Sequence, residues 1–415
     1  MIRRIFFFLL FICCFSASAQ DTVKAMFYNL LNFPEANPSN RELILRDILS
    51  LYEPDIFMVC ELQNMAGADL ILDSSLNHNG LEYSRAPFVF NQSGGNSIQQ
   101  LIFFRNDLFS LETSEIITTP VRDINKYVLK LNTVDQDVDP ILLHIYVTHL
   151  KSSQGSSNQA LRLEMVTEFT DHLETIDPNS YVIFAGDYNI YTSTEPAYIE
   201  LLDSNNAIQM VDPIDTPGSW NNNINFQGVH TQSTRISSGP FGDGAGGGLD
   251  DRFDIITVSQ NMMDDPKMRY VASTYKSYGN NGNCFNNSIN DDACSGDFNM
   301  ELRTNLYNMS DHLPVVMEFE TNQEILLDGT DFDVNLSKFT IENSLVKDIL
   351  HITVSPELIG KDTFEIYNTL GQRILHKVHI SNKNIEVDVS QLSSGVYYIR
   401  TKDSNRSSLK FLKAS

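Results

Sequence analysis

The stretch Tyr181-Val182-Ile183-Phe184-Ala185-Gly186-Asp187-Tyr188-Asn189 is the one on which the fold turns. An apolar run of this length, closed by Gly, reads as a buried strand. The polar residues at its end then fall at a sheet edge. There a carboxylate and a carboxamide two positions apart on an extended chain point to the same side. Asp187 can take a proton or orient a water, and Asn189 both donates and accepts hydrogen bonds. That pairing suits attack of water at phosphorus. The same residues also suit a strand that ends in an Asx-type turn, so the neighbouring stretches must decide.

Working outward, Ile141 to Val147 reads as a strand running into Thr148-His149-Leu150-Lys151-Ser152. His149 suits a general acid or a phosphate contact, and equally a structural imidazole at a strand end. Leu161, Met165, Phe169 and Leu173 mark one face of a helix between this strand and the Asp187 strand. Farther upstream, Val23 to Tyr28 alternates and ends in Asn29, a turn-former that is also an oxygen donor for a hard cation. Ser39 to Glu42 has the form of a capping box, and Leu43, Ile44, Ile48 and Leu51 continue at helical spacing until Pro54. A second buried strand, Asp55 to Gln63, carries Glu61 at its end. An unpaired carboxylate is costly to bury; a metal at that edge resolves the cost, as does exit to the surface. Gln100 to Arg105 is a third strand.

Downstream, residues 203–250 are rich in Asn, Gly and Pro and read as long loops. The Gly242-to-Gly248 run lacks the Lys-Ser/Thr of a phosphate-binding loop, so it supplies backbone freedom beside a site instead. Arg252-Phe253-Asp254 opens the next strand, and Ser310-Asp311-His312 precedes the last one, Val315 to Phe319.

With 415 residues, 42% hydrophobic and 10% aromatic, the chain can bury a large core and a smaller second one. A net charge of −24 is adverse to nucleic-acid binding, where phosphate contacts dominate affinity. It does not exclude a nuclease whose divalent cations offset the field. Residues 1–19 read as a Sec signal peptide: Arg3 and Arg4, an apolar run from Ile5 to Phe15, then Ala17-Ser18-Ala19. The run is too short to span a bilayer, and no further membrane segment is expected. Cys284 and Cys294 close a short loop that suits a disulfide in an exported protein, and Cys60 reads as a buried thiol. Residues 280–297 read as a solvated loop; their Asn, Asp and Gly also admit Ca²⁺ as a structural ion, although EF-hand spacing is missing. Residues 321–337 form a linker. Residues 338–415 then show short alternating strands, including a hairpin from Phe364 to Leu375 with Gly371 in its turn. They predict a small all-β sandwich.

Asn29, Glu61, His149, Asp187, Asn189, Asp254, Asp311 and His312 share one property: each stands at or near the end of an apolar strand. Carboxylates gathered at one edge repel unless a divalent cation joins them. This predicts a metal-assisted phosphoester hydrolase using Mg²⁺ or Mn²⁺. The set resembles the endonuclease/exonuclease/phosphatase superfamily, the DNase I-like enzymes. The matching stretches are Tyr28 to Asn32, Cys60-Glu61, Thr148 to Ser152, Gly186 to Asn189, Arg252 to Asp254 and Ser310 to His312.

The resemblance implies an α/β domain over residues 20–320, a four-layered αββα sandwich with its site at one rim. It implies Glu61 as the principal Mg²⁺ ligand, helped by Asn29 and Asp311. Asp187 would activate water and Asn189 would hold it. His312 would contact phosphoryl oxygens or move a proton, Asp254 would fix its tautomer, and His149 would be a second histidine. The expected activity is that of a secreted phosphodiesterase or nuclease, acting as a monomer on DNA, RNA or a small or lipid phosphoester. Phosphatase and sphingomyelinase-like phospholipase are the alternatives, followed by a non-catalytic surface binding protein.

The tail resembles the type A C-terminal sorting domain of the type IX secretion system, in Ile366 to Gln372, Val387 to Arg400 and Lys410 to Lys413. That implies recognition by the type IX machinery and release or attachment at the cell surface.

Overall fold

A computed structural model describes residues 21–326, apart from Gly80, 95–96 and 239–240, and residues 339–414, apart from 342–344, 356–358, 361–362, 369–371 and 402–407. The expected signal peptide and the Gly371 turn lie outside the described residues. The chain divides into two compact units, 1–327 and 328–415. Residues 321–326, placed in the linker on sequence grounds, stay with the first unit: Ile325 is buried and Leu326 N–H donates to the Asn132 carbonyl at 2.8 Å.

In the first unit the strands are Asp21–Phe33 (β1), Ile56–Leu62 (β2), Tyr83–Arg85 (β3), Gln99–Arg105 (β4), Phe109–Ile117 (β5), Ile124–Leu131 (β6) and Ile141–His149 (β7). They continue with Tyr181–Asp187 (β8), Met210–Val211 (β9), Asp254–Ser259 (β10), Arg269–Tyr270 (β11), Lys276–Ser277 (β12) and Val315–Thr321 (β13). The α-helices are Arg41–Tyr52 (α1), Met65–Leu70 (α2), Ser156–Leu173 (α3), Pro196–Leu201 (α4) and Met300–Met309 (α5). One sheet has the order β11-β13-β1-β2-β4-β3, with β12 also on β13; the other runs β5-β6-β7-β8-β10-β9.

Side-chain alternation along β8 explains the layering. Ile183 and Ala185 join the core between the two sheets, while Val182 and Phe184 join the core under α3 and α4. On the outer face of the first sheet, Leu45 and Ile48 of α1 and Leu302 and Leu306 of α5 pack inward. The result is helix, sheet, sheet, helix, as expected. Because β8 and β10 are covered on both faces, all their residues are buried, and they read in the sequence as unbroken apolar runs.

One local expectation fails. Ser39 does not cap α1: Asn40 precedes the helix in a left-handed conformation, with no side-chain cap bond. The entry is fixed from inside instead. Arg41 is buried and donates to the carbonyls of Leu30, Leu31 and Met309, which satisfies strand-end and helix-end acceptors that would otherwise lack partners.

In the second unit, a three-stranded sheet joins Phe339–Ile341 (β14), Ile349–Val354 (β16) and Asn384–Asp388 (β19). A five-stranded sheet joins Leu345–Val346 (β15), Ser408–Lys413 (β21), Gly395–Thr401 (β20), Thr363–Asn368 (β17) and Arg373–His379 (β18). Ile352 and Val387 from one sheet share a core with Ile366, Ile399 and Phe411 from the other. This is the expected β-sandwich.

Candidate active site

All eight residues singled out in the sequence stand at one end of the two sheets of the first unit. Register puts three of them in a row: His149 of β7 lies opposite Asp187 of β8, which lies opposite Asp254 of β10. Gly186 makes the row possible, since a Cβ there would sit 2.4 Å from the Thr148 carbonyl oxygen. On the other sheet the pairing of β1 with β2 is interrupted after Asn29, and that of β2 with β4 is interrupted between Val59 and Leu62. Such bulges re-aim side chains. Here they turn Asn29 and Glu61 toward the row. Glu61 holds φ at +58°, an uncommon backbone for a long side chain and one that clusters at functional sites.

Asn29 is the hub. Its amide nitrogen lies 3.0 Å from Glu61 Oε1, 3.1 Å from Asp187 Oδ2 and 3.4 Å from His312 Nε2. Its own oxygen accepts from Leu31 N–H at 3.0 Å. Glu61 Oε2 accepts from Asn32 N–H at 3.0 Å. Asp187 Oδ2 is 3.4 Å from His149 Nε2 and 3.7 Å from His312 Nε2. Its other oxygen accepts from the backbone N–H of Asn189 at 3.1 Å and from the Asn189 side-chain amide at 2.8 Å. The Asx turn and the functional pairing are therefore one arrangement: the turn clamps Oδ1 and leaves Oδ2 facing the cluster. His312 Nδ1 lies 2.7 Å from Asp254 Oδ2, a contact that puts the proton of the neutral ring on Nδ1.

Burial sets the electrostatics. It pushes the Asp187 carboxyl up to about 7, against the pull of His312 and with the push of Asp254 and Glu61. Glu61 is raised too, by burial first and then by Asp311. Burial, then Arg122 and His312, hold the His149 imidazole well below its ordinary range and therefore neutral. Burial alone would lower His312 as well; Asp254, Asp187 and Asp311 together outweigh it and raise it well above its ordinary value.

The oxygen-rich donor set fits a hard cation. Glu61, His149 and Asp187 each offer one ligand atom, all within 4.8 Å of one another, and Asn29 bridges two of them. Asp311 stands beside His312 with its Oδ1 buried and without a hydrogen-bond partner. A cation held here would supply the missing partner for that oxygen and relieve the raised carboxylates.

Sequence reasoning missed Gln232. Its amide nitrogen lies 2.7 Å from His312 Nε2 and 3.1 Å from Asp311 Oδ2, so it joins the two. The signal was the dense polar run His230 to Arg235 inside residues 203–250, read only as long loops. The glycine run does approach the site. Ala245 N–H donates to Asp311 Oδ2 at 2.6 Å, and a Cβ on Gly244 (φ +85°) would lie 2.9 Å from Asp311 Cγ. Arg252 is structural: it is buried in a two-pronged pair with Asp212 at 2.8 and 3.0 Å. The expected disulfide Cys284–Cys294 is formed, and Cys60 is a buried free thiol.

Among the described residues no helix is long and apolar enough to cross a membrane. No curated protein matches the sequence. Solved structures similar to it include D. rerio TDP2 complexed with a single-strand DNA product, at 17% identity over 72% of this chain and 99% of that one, TM-score 0.46. The human Nocturnin catalytic domain with bound sulfate is 16% identical over 73% and 98%, TM-score 0.43. An endonuclease/exonuclease/phosphatase family protein from Bacteroides thetaiotaomicron is 15% identical over 73% and 96%, TM-score 0.43. Residues 346–413 match the secretion system C-terminal sorting domain. The chain thus carries a type IX sorting domain at its C-terminus, and the solved structures similar to the rest of it include endonuclease/exonuclease/phosphatase proteins.

Proposed function

We propose that this protein is an exported, divalent-metal-dependent phosphoester hydrolase that directs water at phosphorus. The observation that carries the reading is the single hydrogen-bonded cluster uniting Asn29, Glu61, Asp187, Asn189, Asp254 and His312, with His149 against Asp187 and Gln232 bridging His312 to Asp311. Glu61 and Asp311, with His149 and Asp187 adjoining, would hold Mg²⁺ or Mn²⁺, and Asn29, expected as a ligand, would serve as one only by turning its oxygen from Leu31 N–H toward the ion. When bound, the ion supplies Lewis-acid polarisation of the phosphoryl group and offsets the carboxylates.

The chain's own residues do the remainder. Asp187, raised by burial toward neutrality, accepts the proton of the attacking water. Asn189 keeps that carboxylate aimed. Asp254 holds the His312 ring so that Nε2 faces the phosphoryl oxygens. Nε2 meets Gln232 in the free protein, and a phosphoryl oxygen that displaces Gln232 meets the imidazolium that the surrounding carboxylates favour. Phosphodiesterase, nuclease, phosphatase and phospholipase activities all share this chemistry.

The test is hydrolysis of bis-p-nitrophenyl phosphate by the full chain with Mg²⁺ or Mn²⁺, and with EDTA. Metal-dependent turnover is expected. Full activity in EDTA would remove the metal from the reading.

A further inference from the structure

Loops 34–40, 86–98, 118–123, 150–155, 188–195, 212–253 and 278–314 all leave the sheets at the end where the site lies. Their Lys and Arg side chains, among the described residues, are Arg122, Lys151, Arg235, Arg252 and Arg303. The four arginines are buried and committed to the protein itself. Arg122 donates to the carbonyls of His149 and Leu150. Arg235 donates to those of Tyr307, Asn308 and Asp243. Arg252 pairs with Asp212. Arg303 donates to the carbonyls of Ile289, Asp291 and Phe298.

Lys151 differs. It is half-buried, two residues from His149, and its ammonium donates to the carbonyl of the adjacent Ser152 at 2.8 Å. The same loops expose Glu35, Asp215, Asp291, Asp292 and Asp297.

Polynucleotide binding takes its affinity from cations that neutralise successive phosphates, commonly about 6–10 of them in a specific complex. This rim offers one, in a protein of net charge −24. The site is also recessed, with Asn29, Asp187, Asp254, Asp311 and His312 each no more than 3% exposed. We propose that the site acts on small phosphoesters bearing a single phosphorus, with Lys151 as the charged contact outside the metal cluster, and not on polynucleotides. The inference rests on the hydrolase reading above. In the reaction a water oxygen bonds to phosphorus and the ester P–O bond breaks. The water proton passes to Asp187 and on to solvent, and the leaving oxygen departs as an alcohol after taking a proton from solvent. A soluble metabolite and a lipid headgroup share this chemistry; Phe90, 66% exposed on the loop before β4, is the reason to include the second.

The test compares kcat/KM of the full chain, with Mn²⁺, for p-nitrophenyl phosphorylcholine, sphingomyelin vesicles and a single-stranded oligonucleotide of about 20 nucleotides, at about 50 and 200 mM salt. At least one single-phosphorus substrate is expected to exceed the oligonucleotide by roughly tenfold or more, and the oligonucleotide rate should not fall as salt rises. The soluble and vesicle arms tell metabolite from lipid. Anisotropy of a labelled oligonucleotide in EDTA should show no saturable binding below about 100 μM. Lys151→Ala is expected to raise KM for the preferred ester roughly tenfold with kcat little changed, and Lys151→Arg to restore it. An oligonucleotide rate that matches or exceeds the small esters, or falls steeply with salt, overturns the inference while leaving the hydrolase reading intact. An unchanged KM in Lys151→Ala removes Lys151. Turnover of no phosphoester at all sinks the hydrolase reading and this inference with it.

Discussion

The two units bury different things. In the second, β16 and β19 alternate, β19 buried only at Ile385 and Val387 and β16 at Leu350, Ile352 and Val354, while β17 buries Phe364, Glu365 and Ile366 in succession. Along β16 and β19 one face meets the core and the other is more exposed, so most polar groups there stay outside. The first unit buries carboxylates, imidazoles and arginines near the ends of fully covered strands. Each of these costs free energy unless it is paired. A fold that keeps them must hold partners in place for them, and a catalytic site is one reason to keep them. Buried charge in the first unit gathers at the candidate site, whereas among the described residues of the second unit the buried carboxylate of Glu365 is paired with Arg373 and Arg400.

The largest expected effects test that contrast directly. Asp187→Asn and Glu61→Gln should each lower kcat by about 10²–10⁴-fold, as removal of proton-transfer or charge-stabilising groups does. Thermal unfolding in EDTA should be unchanged or shifted upward, because each substitution relieves crowded carboxylates. Wild-type turnover in either variant takes that residue out of the mechanism.

Next comes the buried pair Arg252–Asp212, where removing one partner leaves the other charge unpaired. Asp212→Ala should cost about 3–5 kcal/mol in denaturant unfolding of the first unit, with the transition of the second unit unmoved. Burial would raise the Asp212 carboxyl, but Arg252 and its hydrogen bonds outweigh that and leave it below its ordinary value. A depressed carboxylate contributes stability above its unfolded pKa of about 3.9 and loses it as pH falls through the folded value. Wild type should therefore lose this contribution below about pH 4, and the variant should show a flatter profile there. Equal acid profiles would show that the pair contributes nothing.

Metal gives a smaller separation of the units. Mn²⁺ at about 100 times its Kd should stabilise the first unit by about 2.7 kcal/mol and leave the second unit's calorimetric transition where it was. Equal shifts in both would place the ion elsewhere. The smallest effect is expected at the glycine run. Gly244→Ala puts a Cβ against Asp311 at a left-handed φ and should cost about 1 kcal/mol or somewhat more. Its kcat/KM should fall, while Glu386→Ala on the exposed face of β19 should change neither quantity measurably.

Much of the site was legible because strand ends are written plainly. Apolar runs closed by Asn29, Glu61, His149, Asp187 and Asp254 announce both the strand and the polar group at its tip, and burial on both faces makes those runs continuous. Gln232 was illegible because its contribution depends on a loop that packs back from far along the chain, and loop packing has no periodicity to read. The failed capping box has a related cause. Ser39 and Glu42 have the right spacing, but Arg41 is anchored to carbonyls of β1 and α5, and that tertiary anchor overrides the local option.

Taken alone, the sequence determined the kinds of elements, their order, the sorting tail and the residue types available for chemistry, because these follow from local periodicity and composition. Only the tertiary structure decided which oxygen meets which nitrogen. Bulges after Asn29 and at Glu61, the register of His149 with Asp187 and Asp254, and the burial of four rim arginines are set by packing between distant segments. Pairwise distances of about 3 Å between residues far apart in sequence depend on every layer closing together, and no single stretch of the chain contains that information.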